Sequence, residues 1–164
     1  MVMGLINMKS IKACVVGSTP TGVTKLIKML QHAHAAELAA YHAYQGHWES
    51  LSDPKEVEQV KRIQADELEH INMLKRFLKE FDAEPNETRD KIFISVGKRI
   101  GQLCKVTGWR MPMLVASLME KVGVHGYNKM ATYASYLTMY NLSNEFELMA
   151  KVEQEHDNYF KSLM

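Results

Sequence analysis

Apolar residues recur every three to four positions over most of the chain, the spacing that lays one stripe along an α-helix. The stretch 54–81 is the clearest, with Val57, Val60, Ile63, Leu68, Ile71, Leu74, Phe77 and Leu78 at helical spacing. Asp53 can cap its first turn, and Pro54 suits the first helical position, where a backbone N–H has no partner anyway. The same spacing predicts helices over 23–48, 112–138 and 143–162, and a less regular one over 90–106. Only four prolines occur, Pro20, Pro54, Pro85 and Pro112, each where a helix begins or a turn sits. Period-two alternation is nearly absent. The expected fold is all-α: two helical hairpins, giving a four-helix bundle over residues 23–164, with an amphipathic crossover helix between them. Residues 1–22 are expected to be a loose or docking tail, with a short, partnerless strand at 13–16 as its one local signal.

Length and charge narrow the picture. A chain of 164 residues makes one domain with a core of its own. A formal charge of +1 gives no reason to expect a nucleic-acid partner. Cys14 and Cys104 do not make a disulfide framework, which suits a reducing compartment. No run of about 18 apolar residues exists to span a bilayer. The first residues also lack the apolar core and cleavage site of a secretory signal.

The chemistry lies in the acids that the stripes should exclude. From Thr21 to Trp48 the only acid is Glu37, with Ala33, His34, Ala40 and Tyr41 one turn away. From Met111 to Tyr140 the only acid is Glu120, flanked by Ala116, Ser117, Gly123 and Val124. A lone carboxylate on an apolar face is costly to bury unless a cation or donors offset it. The second and fifth segments carry Glu67-x-x-His70 and Glu153-x-x-His156, and residues three apart share one helix face. One such motif would be ordinary surface. Two copies, lying 30 and 33 residues after the lone glutamates, make an internal repeat. His42 and His125, Tyr44 and Tyr127, and Gln45 and Asn128 repeat at matching offsets. Folding the hairpins together points Glu37, Glu67, His70, Glu120, Glu153 and His156 into one core, the ligand set of dimetal carboxylate bundles. Oxygen-rich ligation with one imidazole per metal suits iron or manganese better than zinc. Asp66 and Glu69 are expected on solvated surface, and His32, His34, His42 and His47 at the core edge or surface. Tyr44 and Tyr127 fit either a place beside the metals or plain core packing.

The crossover segment DKIFISVGKRIGQLCKVTGWR puts Ile92, Val96, Ile100 and Leu103 on one stripe; Lys91, Lys98, Arg99, Lys105 and Arg110, with Arg89 just before it, surround the stripe against one acid, Asp90. A membrane-surface helix and a helix packed across the bundle both need such a stripe. Gly97 and Gly101, four apart, suggest close approach of another helix or of a lipid-like ligand.

Between Leu26 and Phe160 the chain resembles the demethoxyubiquinone hydroxylase family of di-iron monooxygenases. The resemblance rests on HAAELAAYHAYQGH around Glu37, DELEHINMLKRF around Glu67 and His70, and FISVGKRIGQLCKVTG in the crossover. It continues in EKVGVHGYNKM after Glu120 and EQEH at Glu153. Ala33-His34-Ala35-Ala36 stands where the family has Asp-His-Ala-Gly, and His125-Gly126 where it has two histidines. The resemblance implies a ferritin-like bundle in which the six residues bind two irons, with Glu67 and Glu153 bridging. It implies hydroxylation of the ring of a prenylated quinone precursor by dioxygen, with NADH or an electron-transfer protein as reductant and Tyr127 as a relay. A membrane surface is the implied partner, on the inner face of the cell membrane from the cytoplasmic side, with a homodimer or a quinone-biosynthesis complex as assembly. The competing reading is a ferritin- or rubrerythrin-like protein that oxidises iron or scavenges peroxide without an organic substrate. A bundle that has lost its metals and serves as a scaffold is the third.

Overall fold

The computed structural model describes residues 20–107 and 110–164. They form five helices: α1 (Pro20–Trp48), α2 (Pro54–Glu80), α3 (Glu87–Thr107), α4 (Arg110–Tyr136) and α5 (Tyr140–Ser162). No strand occurs among them. The expected strand at 13–16 and most of the expected tail lie outside the described residues, and α1 begins at Pro20 rather than at residue 23.

Local chemistry sets the boundaries much as the spacing suggested. The Asp53 side chain accepts from the Lys55 backbone N–H at 2.8 Å and caps α2. Asn86 does the same for Arg89 at the start of α3, at 3.0 Å. Asp82 (φ 52°) and Thr138 (φ 60°) adopt the left-handed conformation that turns the chain after α2 and α4.

Helices α1 and α2 pack as one hairpin and α4 and α5 as the other. Their apolar stripes meet in two clusters. One holds Leu26, Leu30, Phe77, Leu78, Met130 and Phe146; the other holds Tyr44, Ile63, Met113 and Phe160. By sequence position the lone glutamates and both Glu-x-x-His motifs fall between these clusters on all four helices. The core is thus two apolar plugs with a polar layer between them.

The crossover helix α3 runs alongside α1, but not by the face that its hydrophobic pattern suggested. Gly97 packs on the backbone of Ala39 and Gly101 on Gly46, so closely that a Cβ on Gly97 would collide with the Ala39 carbonyl. Cys104 and Asp90 complete the buried face. The stripe lies elsewhere: Ile92, Val96 and Leu103 are exposed and Ile100 is half-buried. Backbone-to-backbone contact demands glycine, and the large apolar residues are displaced to the outside.

Candidate metal centre

Six side chains converge in the polar layer, and all six are the residues singled out by the repeat. Glu37, Glu67, His70, Glu120, Glu153 and His156 are each at most 6% exposed. One ligand atom from each of Glu37, Glu67, His70 and Glu153 lies within 4.8 Å of the others. Glu67, Glu120, Glu153 and His156 form a second such set. The two sets share Glu67 and Glu153, so a pair of cations held here would be bridged by those two carboxylates.

The layer has an approximate twofold relation. Nδ1 of His70 lies 3.9 Å from Glu37, and Nδ1 of His156 lies 3.4 Å from Glu120, each within its own hairpin. Across the hairpins, Nδ1 of His70 is 2.9 Å from Glu153 and Nδ1 of His156 is 3.5 Å from Glu67. The tyrosines follow the same relation: Tyr127 donates to Glu37 and Tyr44 donates to Glu120. Both hydroxyls therefore sit at the cluster rather than in plain core packing.

Whether these residues suit cations can be judged from their unmet bonding. Both Glu67 carboxylate oxygens, one oxygen each of Glu120 and Glu153, and Nδ1 of both histidines are buried without a hydrogen-bond partner. His70 and Glu153 are close, but not in hydrogen-bonding alignment. Buried polar atoms are nearly always paired, and an ion is one of the few things that explains a cluster of exceptions. Burial pushes the Glu67 carboxyl well above the usual range, helped by the charges of Glu153 and Glu37. Glu153 is raised by burial and by Glu37 and Glu120. Four carboxylates in one dry layer repel one another, and two divalent cations would offset their charge.

The histidines are not equivalent. Burial lowers the His70 pKa. Burial acts the same way on His156, but the nearby carboxylates of Asp66 and Glu120 outweigh it and raise that group to about 9. Asp66, half-exposed on α2, meets Nε2 of His156 at 3.1 Å. It is thus not the plain surface acid that the sequence suggested. Val152 holds the repeat-equivalent position, so no carboxylate supports His70 in the same way. With Nε2–H held by Asp66, Nδ1 of His156 faces the cluster, and a metal ion bound there would take the place of its proton.

Two histidines expected at the edge are fully buried. His34 meets Asp90 of α3 at 3.2 Å and ties the crossover to α1. His47 stacks on Phe160, and burial lowers its pKa to about 4. Both partners are remote in sequence, so no local signal announced them.

A groove of about 880 Å³ opens between α3 and α4 above α1 and reaches Glu37, Glu120 and Glu153. Its walls are mainly apolar, with Phe93, Val96, Ile100, Leu118 and Met119 among them.

Fold and site together define a four-helix bundle with a buried carboxylate–histidine cluster able to hold two metal ions. A family model described as a ferritin-like domain matches residues 25–164, and the chain belongs to that family. The fold is similar to that in the X-ray structure of Dps from Thermosynechococcus elongatus, with a TM-score of 0.71 at 11% identity over 87% of this chain and 92% of the other. No curated protein matches the chain. These similarities place the chain in the ferritin-like class, and the demethoxyubiquinone hydroxylase assignment goes beyond what they show.

Proposed function

We propose that the protein is an iron-oxidising protein of ferritin-like type that takes up two ferrous ions and oxidises them with dioxygen or peroxide. One observation carries the reading: six buried side chains fall into two overlapping sets, and five of them, Glu67, His70, Glu120, Glu153 and His156, hold atoms without hydrogen bonds. Glu37 and His70 would hold one ion, Glu120 and His156 the other, and Glu67 and Glu153 would bridge. Carboxylate-rich ligation with one imidazole each suits iron, or manganese, over zinc. Two bound ferrous ions supply the two electrons that reduce one peroxide. Tyr44 and Tyr127 hold the terminal carboxylates in place and are the nearest phenolic protons. The test is anaerobic titration with ferrous ion, followed by peroxide or dioxygen. The expected result is two irons bound per chain and rapid conversion to ferric; a chain that binds no iron or manganese overturns it.

A second reading, hydroxylation of a prenylated quinone precursor at a membrane surface, is favoured by the apolar groove and by the outer face of α3 and α4. On α3, Ile92, Val96, Leu103 and Val106 are exposed beside Lys91, Lys98, Arg99 and Lys105. On α4, Met111, Leu114, Leu118 and Val122 extend the apolar surface. No helix of the described residues is long and apolar enough to cross a membrane, so contact would be along this face. An external reductant, NADH or an electron-transfer protein, would renew the ferrous state, with Tyr127 as a relay. The reading requires a hydroxylated quinone from iron-loaded, reduced protein on vesicles. Oxygen consumption without that product leaves the first reading in place.

A further inference from the structure

The groove carries a charge pattern that an uncharged ring substrate does not explain. Its basic residues are Lys25 and Lys28 on α1, Arg89 on α3 and Lys129 on α4. They gather toward one end. His32 packs on Phe93, and Lys25 lies over the Tyr133 ring, so the starts of α1 and α3 and the far part of α4 adjoin there. The groove's only acids are Glu37, Glu120 and Glu153 in the metal layer. Lys28, Arg89 and Lys129 make no ion pair among the described residues, although the protein pairs other surface lysines, as in Lys105 with Glu49 at 2.8 Å. A basic mouth therefore leads into an apolar trough.

The trough is kept open by two glycines in the middle of α4. A Cβ on Gly123 would collide with a carboxylate oxygen of Glu153, while a Cβ on Gly126 would meet nothing within 4 Å. A glycine inside a helix costs about 1 kcal/mol against alanine. At Gly123 the Glu153 carboxylate accounts for it. At Gly126 no packing partner does, and the residue leaves open space in the groove one position before Tyr127. On α4 the groove's lining runs from Lys129 at the mouth past Gly126 and Glu120 to Val115, fourteen residues or about 21 Å, roughly the length of a sixteen-carbon chain.

We propose that the groove binds a single-chain anionic amphiphile, a long-chain carboxylate whose head pairs with Lys28, Arg89 and Lys129 and whose tail runs past Gly126 and the metal layer toward Val115. The charge of the mouth selects this occupant over a neutral lipid. It also selects against residues 1–19 of the chain itself, which contain Lys9 and Lys12 and no acid. The assignment needs no metal, so it stands or falls apart from the iron chemistry.

The test is equilibrium dialysis of labelled hexadecanoate, and separately of its methyl ester, against the full-length, metal-free protein. Hexadecanoate is expected to bind at one site per chain and the ester about tenfold more weakly, with the difference shrinking at high salt. Gly126→Leu should weaken both ligands by filling the trough. Lys28→Glu with Lys129→Glu, two exposed positions that cannot upset the core, should cost hexadecanoate about tenfold and leave the ester unchanged. Equal binding of acid and ester overturns the proposal, as does binding that appears only with phospholipid vesicles. No binding of either ligand, or indifference to both variants, overturns it as well.

Discussion

The Tyr127 hydroxyl on α4 donates to the Glu37 carboxylate on α1, joining the lone acid of one hairpin to the repeat-matched tyrosine of the other. Tyr44 and Glu120 make the same contact in reverse. Each phenol removes one buried acceptor from the list of unmet bonds. Tyr127→Phe and Tyr44→Phe should therefore each lower the stability of the metal-free protein by about 1–3 kcal/mol, the usual cost of orphaning a buried polar group. Denaturant melts of the two variants should show similar losses. A loss in only one would mean that the twofold relation is geometric and not energetic.

Removing a terminal carboxylate should separate the two metal positions. Glu120 belongs to one ligand set only, whereas Glu67 belongs to both. Glu120→Ala is expected to lower metal stoichiometry from two to one, and Glu67→Ala to abolish paired binding. Helical circular dichroism should persist in each, because losing one of several crowded carboxylates relieves repulsion in the metal-free bundle. Unchanged stoichiometry in Glu120→Ala would take that residue out of the site.

Asp66 predicts a difference between the two positions. It fixes the ring of His156 through Nε2, and its absence from the His70 side leaves that imidazole without a matching carboxylate. Outer carboxylates of this kind typically tune metal affinity by about 10–100-fold. Asp66→Asn should weaken the position at His156 by that order and leave the position at His70 unchanged. Calorimetric metal titration resolves the two steps, and an equal effect on both would refute the asymmetry.

His47 offers a pH dependence that owes nothing to the metal layer. Its folded pKa is lowered from the ordinary 6.5 to about 4, with burial as the cause. For a lowered pKa, the stabilising contribution is complete above pH 6.5 and is lost as pH falls through about 4. The unfolded chain then takes up a proton that the folded one resists. The shift corresponds to about 3 kcal/mol. His47→Phe should remove that part of the acid sensitivity, flattening the difference between melts at pH 7 and pH 4.5. A variant as acid-sensitive as the parent would show that His47 opens to water before it titrates.

Gly97 and Ile92 lie on opposite sides of the crossover question. Gly97→Leu forces a side chain between two backbones and should cost about 3 kcal/mol or prevent α3 from docking. Ile92→Ser, at an exposed position of the hydrophobic stripe, should change stability by less than about 0.5 kcal/mol. The reverse ranking, read from thermal melts, would mean that the stripe packs inward.

The chain alone determined the helices, their pairing into hairpins and the six residues of the polar layer. These rest on information local to a helix: a period, a cap, an acid where the stripe should be apolar, and a motif repeated at hairpin spacing. The structure brings those six residues together, and the ferritin-like family match fits the bundle that the repeat suggested. What the sequence could not decide depended on which element lies opposite. Asp66 looked like a surface acid because its partner, His156, is 90 residues away. His34 and His47 looked like edge residues because Asp90 and Phe160 arrive from other helices. The stripe on α3 is apolar enough to be core, yet α1 takes the glycine face, because closeness of approach rather than hydrophobicity decides that contact. Periodicity tells a helix which side is greasy; only the packed neighbours decide which side is covered.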